Sequence, residues 1–91
     1  MKPRFIGMVP DANRFSPVTP VRSRYLKDPI IMTYDELEAL RLIDYQGLTQ
    51  EEAAEKMKIS RGTVWRCLDS ARKKIVAMLI ENRELVVNEG N

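Results

Sequence analysis

Arg61 and Arg66 are the residues of this sequence whose type and spacing could do chemistry, because both closely follow a serine that can begin a helix. A guanidinium group can donate to O6 and N7 of guanine together, which makes arginine a common reader of that base. Side chains that read bases from the major groove lie in the first turns of a helix, on its face away from the core. We therefore predict that both arginines contact DNA; the alternative for each is an ordinary surface arginine.

Polar side chains near the two arginines extend this candidate site. Hydroxyl and amide groups at the starts of two successive helices suit phosphate contacts, because helix N-termini attract anions. One turn beyond Arg66, Asp69 or Ser70 could also reach a base. The candidate DNA-binding residues are, in chain order, Thr49, Gln50, Ser60, Arg61, Thr63, Trp65, Arg66, Ser70 and Lys73. Trp65 could instead pack on the N-terminal part of the chain, and Arg72, Lys73 and Lys74 contact either phosphates or only solvent.

Two capped helices separated by a short break position these residues. Thr49 and Glu52 have the spacing of a capping box, which predicts a helix over 49–57. Ser60 is a good N-cap, and it predicts a second helix over 60–81. Apolar residues recur along this second helix at spacings of three and four, which indicates one buried stripe: Val64, Cys67, Leu68, Ala71, Ile75, Met78 and Leu79. Ala53 and Ala54 would let the two helices cross closely, as in a helix-turn-helix.

The remaining segments complete the predicted architecture. Thr33 and Glu36 form a second capping box, which predicts a helix over 33–46 with Gly47 at its end or in the following turn. The short β-prone runs 30–32 and 85–87 are expected to pair, within one chain or between two, because a lone strand leaves backbone groups unpaired. All five prolines lie in residues 1–29, which predicts an extended, basic, proline-rich arm ahead of a helix-turn-helix domain over 30–91.

The sequence from Thr33 onward resembles the UPF0251 (DUF134) family of small prokaryotic proteins. The segments TYDELEALRLIDYQGL (33–48) and LTQEEAAEKMKISRGTVWRCLDSARKKI (48–75) carry this resemblance, and Phe15 with Pro17 resembles the proline-rich start of the family. Family members are predicted DNA-binding proteins whose helix-turn-helix is similar to region 4 of bacterial sigma factors. The resemblance thus implies a mainly α, sigma region 4-like fold. Lys58 departs from the glycine usual at the turn, which would cost about 1 kcal/mol at a positive φ.

Composition favours a non-enzymatic, cytoplasmic protein. With no histidine and one cysteine, the chain lacks a metal-ligand set, and we expect no metal or other cofactor. Cys67 lies on the apolar stripe, where a buried structural role is expected. No apolar run is long enough to cross a membrane, and no signal peptide is evident. The net charge is only +2, but residues 58–74 carry six cations and one acid, so positive charge is concentrated around the candidate site.

These observations predict a sequence-specific, double-stranded-DNA-binding protein, most plausibly a transcriptional regulator. Because one module of this size covers a modest interface, we expect a homodimer, formed through Ile75, Met78, Leu79, Ile80 and the terminal strands. The main alternative is a sigma region 4-like interaction module that docks on RNA polymerase or another partner. RNA binding is a lesser alternative, since it calls for several exposed aromatic rings and Trp65 alone is too few.

Overall fold

The three helices of this chain begin where hydroxyl side chains cap them. In the computed structural model, which describes residues 13–18 and 27–88, both capping boxes form, at Thr33–Glu36 and Thr49–Glu52. They begin α1 (Tyr34–Leu40) and α2 (Gln50–Met57). The hydroxyl of Ser60 accepts from the backbone N–H of Thr63 at 3.2 Å and begins α3 (Arg61–Glu81). The predicted starts of all three helices are confirmed, because local hydrogen bonds determine them.

The first helix does not continue as a regular α-helix, and the prediction of one helix over 33–46 was wrong in this respect. From Arg41 to Tyr45 the backbone forms a π-helical turn, in which the N–H of Gln46 donates to the carbonyl of Arg41 at 2.9 Å. The wider turn holds Leu42 in the core while Asp44 reaches Arg72 on α3. Gly47 follows in the connection to α2 with φ +83°, a conformation that favours glycine.

A tight left-handed turn joins α2 to α3. Lys58 has φ 58° and ψ 41°, so the position usually held by glycine is left-handed and the cost considered for a lysine there applies. The N–H of Ile59 donates to the carbonyl of Ala54 at 3.2 Å, and Ile59 packs on the core between the helices. Three residues therefore separate two helices that both bury their small and apolar faces.

A three-stranded sheet closes the chain on itself, in the order β1 (Arg14–Phe15), β3 (Leu85–Asn88) and β2 (Ile30–Thr33). Ile30 pairs with Leu85 and Met32 with Val87 in parallel register, so the predicted pairing is confirmed and occurs within one chain. A parallel pair needs a long connection, which the three helices supply. The strand β1 pairs antiparallel with β3, which places Arg14 and Phe15 of the predicted arm in the sheet.

Helix α3 spans two packed clusters. Its first half buries Val64, Cys67 and Leu68 against α1, the π-helical turn and α2, and Leu42 and Met57 complete this cluster. Farther along, Ala71, Ile75 and Met78 pack against the sheet, whose buried residues are Ile30, Met32, Leu85 and Val87. Because the single 21-residue helix α3 packs in both clusters, it fixes how α2 is oriented relative to the sheet.

Candidate nucleic-acid interface

The first turn of α3 holds a short chain of hydrogen bonds that ends at Arg66. The Oγ of Ser60 and the Oγ1 of Thr63 lie 2.9 Å apart, and Nη2 of Arg66 donates to the Thr63 hydroxyl at 3.3 Å. A Cβ added at Gly62 would lie 4.0 Å from Nη1 of Arg66 and meet nothing closer, so the surface beside the guanidinium is open. These bonds hold the arginine beside the helix start while its remaining N–H groups are exposed.

Arg61 and Trp65 lie with Arg66 on the exposed side of the same turns, and we call these three residues the basic face. Nη1 of Arg61 lies 3.5 Å from Oε2 of Glu51, and both side chains are mostly exposed, so this ion pair is weak. The ring of Trp65 is 44% exposed. Within residues 13–18 and 27–88, Arg66 forms no ion pair, and the basic face therefore presents at least one uncompensated cation to solvent.

The cations in the middle of α3 are engaged with acids of the preceding elements. Nε and Nη2 of Arg72 donate to the two carboxylate oxygens of Asp44 at 2.9 and 2.7 Å. These hydrogen bonds hold the pKa of Asp44 below its usual value and raise the pKa of Arg72. We predicted either phosphate contact or solvation for Arg72, and this two-point pair with Asp44 is neither.

Lys74 is held more deeply by Glu36, the residue that also caps α1. Its Nζ lies 2.8 and 3.0 Å from the two carboxylate oxygens, and the hydroxyl of Ser70 donates to the same carboxylate at 2.6 Å. Burial alone would raise the pKa of Glu36, but the hydrogen bonds from Lys74, Ser70 and the Thr33 backbone outweigh it and lower the pKa. One carboxylate thus joins the start of α1 to the middle of α3.

Some of the other predicted site residues lie at the surface, and one is directed into the fold. Thr49 is exposed but its hydroxyl is engaged in the cap of α2, and Gln50 is partly exposed at the first position of that helix. Lys73 is exposed and lies 3.2 Å from Asp69, one turn before it. The structure thus brings Ser60, Thr63 and the basic face together, and it directs the Ser70 hydroxyl toward α1 instead.

Sequence reasoning missed the acids that engage the middle of α3. Glu36 had an evident role as the cap of α1, and Asp44 was only a helical carboxylate, so neither position indicated a partner 38 or 28 residues away. No spacing rule finds such pairs, because the crossing of α1 over α3 creates them. In the basic arm predicted over 1–29, Arg14 pairs with Glu84 at 2.8 Å, whereas Lys2, Arg4, Arg22 and Arg24 lie outside the described residues.

Cys67 is buried, as predicted, and its thiol faces Oδ2 of Asp35 at a sulfur–oxygen distance of 3.7 Å. Among the residues that the structure describes, no three His, Cys, Asp or Glu side chains are grouped as a metal site would need. In the same part of the chain, no helix is both long and apolar enough to cross a membrane.

Comparison with known proteins assigns the family. The family model described as "Protein of unknown function DUF134" matches residues 1–91. The chain belongs to the DUF134 (UPF0251) family. A UPF0251 protein of Thermococcus kodakarensis is 56% identical over 87 residues, which cover 96% of this chain and 76% of the relative. A UPF0251 protein of Pyrococcus furiosus is 58% identical over 94% of this chain and 79% of its own length.

The family extends to more distant relatives over the same region. A UPF0251 protein of Thermoanaerobacter pseudethanolicus is 42% identical over 90 residues, covering 99% of this chain and 75% of the relative. No solved structure matches the chain. The predicted family resemblance is thus confirmed.

Proposed function

We propose that this protein binds double-stranded DNA with sequence specificity through a helix-turn-helix formed by α2, the turn 58–60 and α3, and that it acts as a transcriptional regulator. The observation that carries this proposal is the basic face: two arginines and a tryptophan exposed in the first turns of a helix that follows a three-residue turn. Such a helix start is where base-reading side chains of this motif lie.

The burial of α3 supports a groove-entering orientation. Val64, Cys67 and Leu68 are buried against the preceding helices, so the side of the helix that carries Trp65 and Arg66 is left outward. An α-helix fits the major groove, and an outward arginine that is not neutralised can donate to guanine. Within the described residues, Arg66 has this property and is the strongest candidate reader, while Arg61 must first leave Glu51.

Phosphate contacts would come from the helix starts and from Lys73, and not from Arg72 or Lys74. Ser60 and Thr63 are exposed or partly exposed hydroxyls at the N-terminus of α3, where the helix dipole attracts an anion. Lys73, which is mostly exposed, can extend this row. Arg72 and Lys74 are assigned to the fold, because they donate to Asp44 and Glu36. The similarity to sigma factor region 4 is part of the same proposal.

The experiment that tests the proposal is selection of bound duplexes from a random DNA pool, followed by affinity measurements on the enriched sequence. Arg66→Ala should relax specificity at one defined position by about 1–3 kcal/mol, because a bidentate guanine contact is lost. Arg61→Ala is expected to act at a second position. Arg72→Ala is the matched control: it removes an arginine from the same helix, and we expect the base preference to be unchanged.

Three outcomes would contradict the proposal. If no sequence is enriched and binding declines uniformly with salt, the basic face is a nonspecific phosphate surface. If DNA is not bound at all, while RNA polymerase captures the protein through the basic face, the alternative of a protein-docking module becomes the better account. Binding of single-stranded RNA in preference to duplex DNA would favour the alternative of an RNA-binding protein, in which Trp65 stacks on a base.

A further inference from the structure

A groove opens between α1 with its π-helical turn and the second half of α3. It has a volume of about 730 Å³, and its floor and walls are mainly the side chains of Leu37, Leu40, Ile75 and Val76. Tyr45 lies at its margin and is 85% exposed, which is unusual for a large aromatic residue. The π-helical turn that presents Tyr45 is a rare geometry, often found at functional sites.

Apolar side chains continue from this groove along α3. Val76, Leu79 and Ile80 are 54%, 70% and 78% exposed, and the last two lie three and four residues after Val76, so all three share one side of the helix. We call Tyr45 with these three residues the apolar patch. The four side chains together expose on the order of 500 Å² of surface. This is comparable to the apolar area that one partner contributes to a standard protein interface. Contiguous apolar surface of this size marks interaction sites.

We propose that a second copy of this chain covers the patch, with Leu79 and Ile80 of each protomer entering the groove of the other. A two-fold interface requires one surface to be complementary to itself. This surface meets the requirement, because a convex apolar ridge at 79–80 adjoins a concave apolar groove. Its charged margin also suits self-pairing: Arg72 and Asp44 already neutralise each other, as do Arg41 and Glu38, so two copies meet without net repulsion.

The proposed interface differs from the one expected from sequence. Met78 packs against the sheet within one chain, and so does Ile75, which also lines the groove. The terminal strands pair with each other, so these elements are already engaged. Of the helix residues expected there, Leu79 and Ile80 remain exposed, and Val76 joins them as an exposed large apolar residue of the second half of α3. The partner surface therefore shifts from the sheet side of α3 to its groove side, and it includes Tyr45.

The distance between the apolar patch and the basic face fits a DNA site with two symmetric half-sites. This inference rests on the proposed function. From Arg66 to Ile80 the helix rises about 21 Å. Two copies that meet at Ile80, with α3 inclined to the DNA, would separate their basic faces by an amount near the roughly 34 Å between successive major grooves. The patch would then determine the spacing of two half-sites.

Sedimentation of the full chain without DNA tests the interface independently of DNA binding. Leu79→Lys and Ile80→Lys should each weaken self-association at least about 100-fold, because a two-fold interface receives every substitution twice. Lysine favours helix and suits the C-terminal end of α3, and unchanged helical circular dichroism verifies folding. Val18→Lys is the matched control, since Val18 is fully exposed and does not line the groove, and it should leave the dimer intact.

Each other result overturns the interface. The wild-type chain could remain monomeric at high concentration, or both lysine variants could dimerise as well as the wild type. A monomer that binds an apolar probe such as anilinonaphthalene sulfonate in the groove would point to a small ligand instead. Failure of the two proposals is distinguishable: an intact dimer with no enriched DNA sequence defeats the function alone, whereas a monomer that reads a single half-site defeats the interface alone.

Discussion

The first turns of α3 and its middle turns carry the same types of residue but are engaged differently. Arg66 donates to a neighbouring hydroxyl and Arg61 to an exposed acid at 3.5 Å, whereas Arg72 and Lys74 lie 2.7–3.0 Å from carboxylates of α1 and the π-helical turn. A count of charges along residues 58–74 treats all four cations alike. Tertiary contact separates them into two that are available to a ligand and two that hold the helices together.

This difference teaches that density of positive charge is a poor guide to which cations bind nucleic acid. A cation already held in a partly buried ion pair must break that pair before it can contact phosphate, and the broken pair leaves a carboxylate facing the DNA. Near the start of α3, Arg66 escapes this competition, because it forms no ion pair within the described residues, and Arg61 forms only the weak pair with Glu51. Four predictions test this separation.

The largest expected effect is on stability, at the carboxylate that anchors the middle of α3. Glu36→Ala removes acceptors for Lys74, Ser70 and the Thr33 backbone, and it should lower the free energy of unfolding by about 2–3 kcal/mol. Urea denaturation measures the change. Glu52→Ala, which breaks the equivalent capping box at an exposed position, is the control and should cost about 1 kcal/mol or less. Equal losses would mean that only the cap matters.

A second effect is the acid dependence of stability. The pKa of Glu36 is lowered in the folded protein, so the unfolded chain binds a proton first as the pH falls. The contribution of Glu36 is therefore present at neutral pH and is lost as the pH falls through its folded-state pKa. Glu36→Gln can keep the capping bond but loses the charge for Lys74. It should cost about 1 kcal/mol near pH 7 and reduce the decline in stability as the pH falls below the usual pKa of a glutamate.

Salt dependence of DNA binding distinguishes the two sets of cations. A side chain that neutralises a phosphate contributes close to one to the slope of log affinity against log salt. Arg66→Ala should change base preference, Lys73→Ala should reduce the slope by about one, and Arg72→Ala should leave the slope unchanged because Asp44 already engages that arginine. A lower slope for Arg72→Ala would show that the pair opens on DNA.

The smallest effect concerns the weak ion pair at the basic face. Glu51→Gln frees Arg61 and removes a negative charge near the DNA, so affinity should rise about two- to fivefold. Titration at low salt measures this gain, and it should shrink as salt increases. Glu55→Gln, a substitution of the same charge on the same helix, controls for the change in net charge alone. Equal gains for both variants would remove any specific role for the pair.

The sequence by itself determined the features that depend on neighbours along the chain. The capping boxes at Thr33 and Thr49, the cap at Ser60 and the buried stripe from Val64 to Ala71 follow from hydrogen bonds and periodicity within one or two turns. The pairing of 30–32 with 85–87 also followed from sequence, because short β-prone runs at the two ends of the helices need partners. Its parallel direction required the helical crossover.

Only the tertiary structure decided which surfaces remain open. The packing of α1 on α3 brings Glu36 to Lys74 and Asp44 to Arg72, across 38 and 28 residues, and no local pattern encodes such distances. The π-helical turn is only five residues long, too short for the spacing of apolar residues to distinguish it from an α-helix, so periodicity could not reveal that it presents Tyr45 beside a groove. Local bonds fix where helices start, whereas the crossing of helices fixes which charges and apolar side chains remain for a partner.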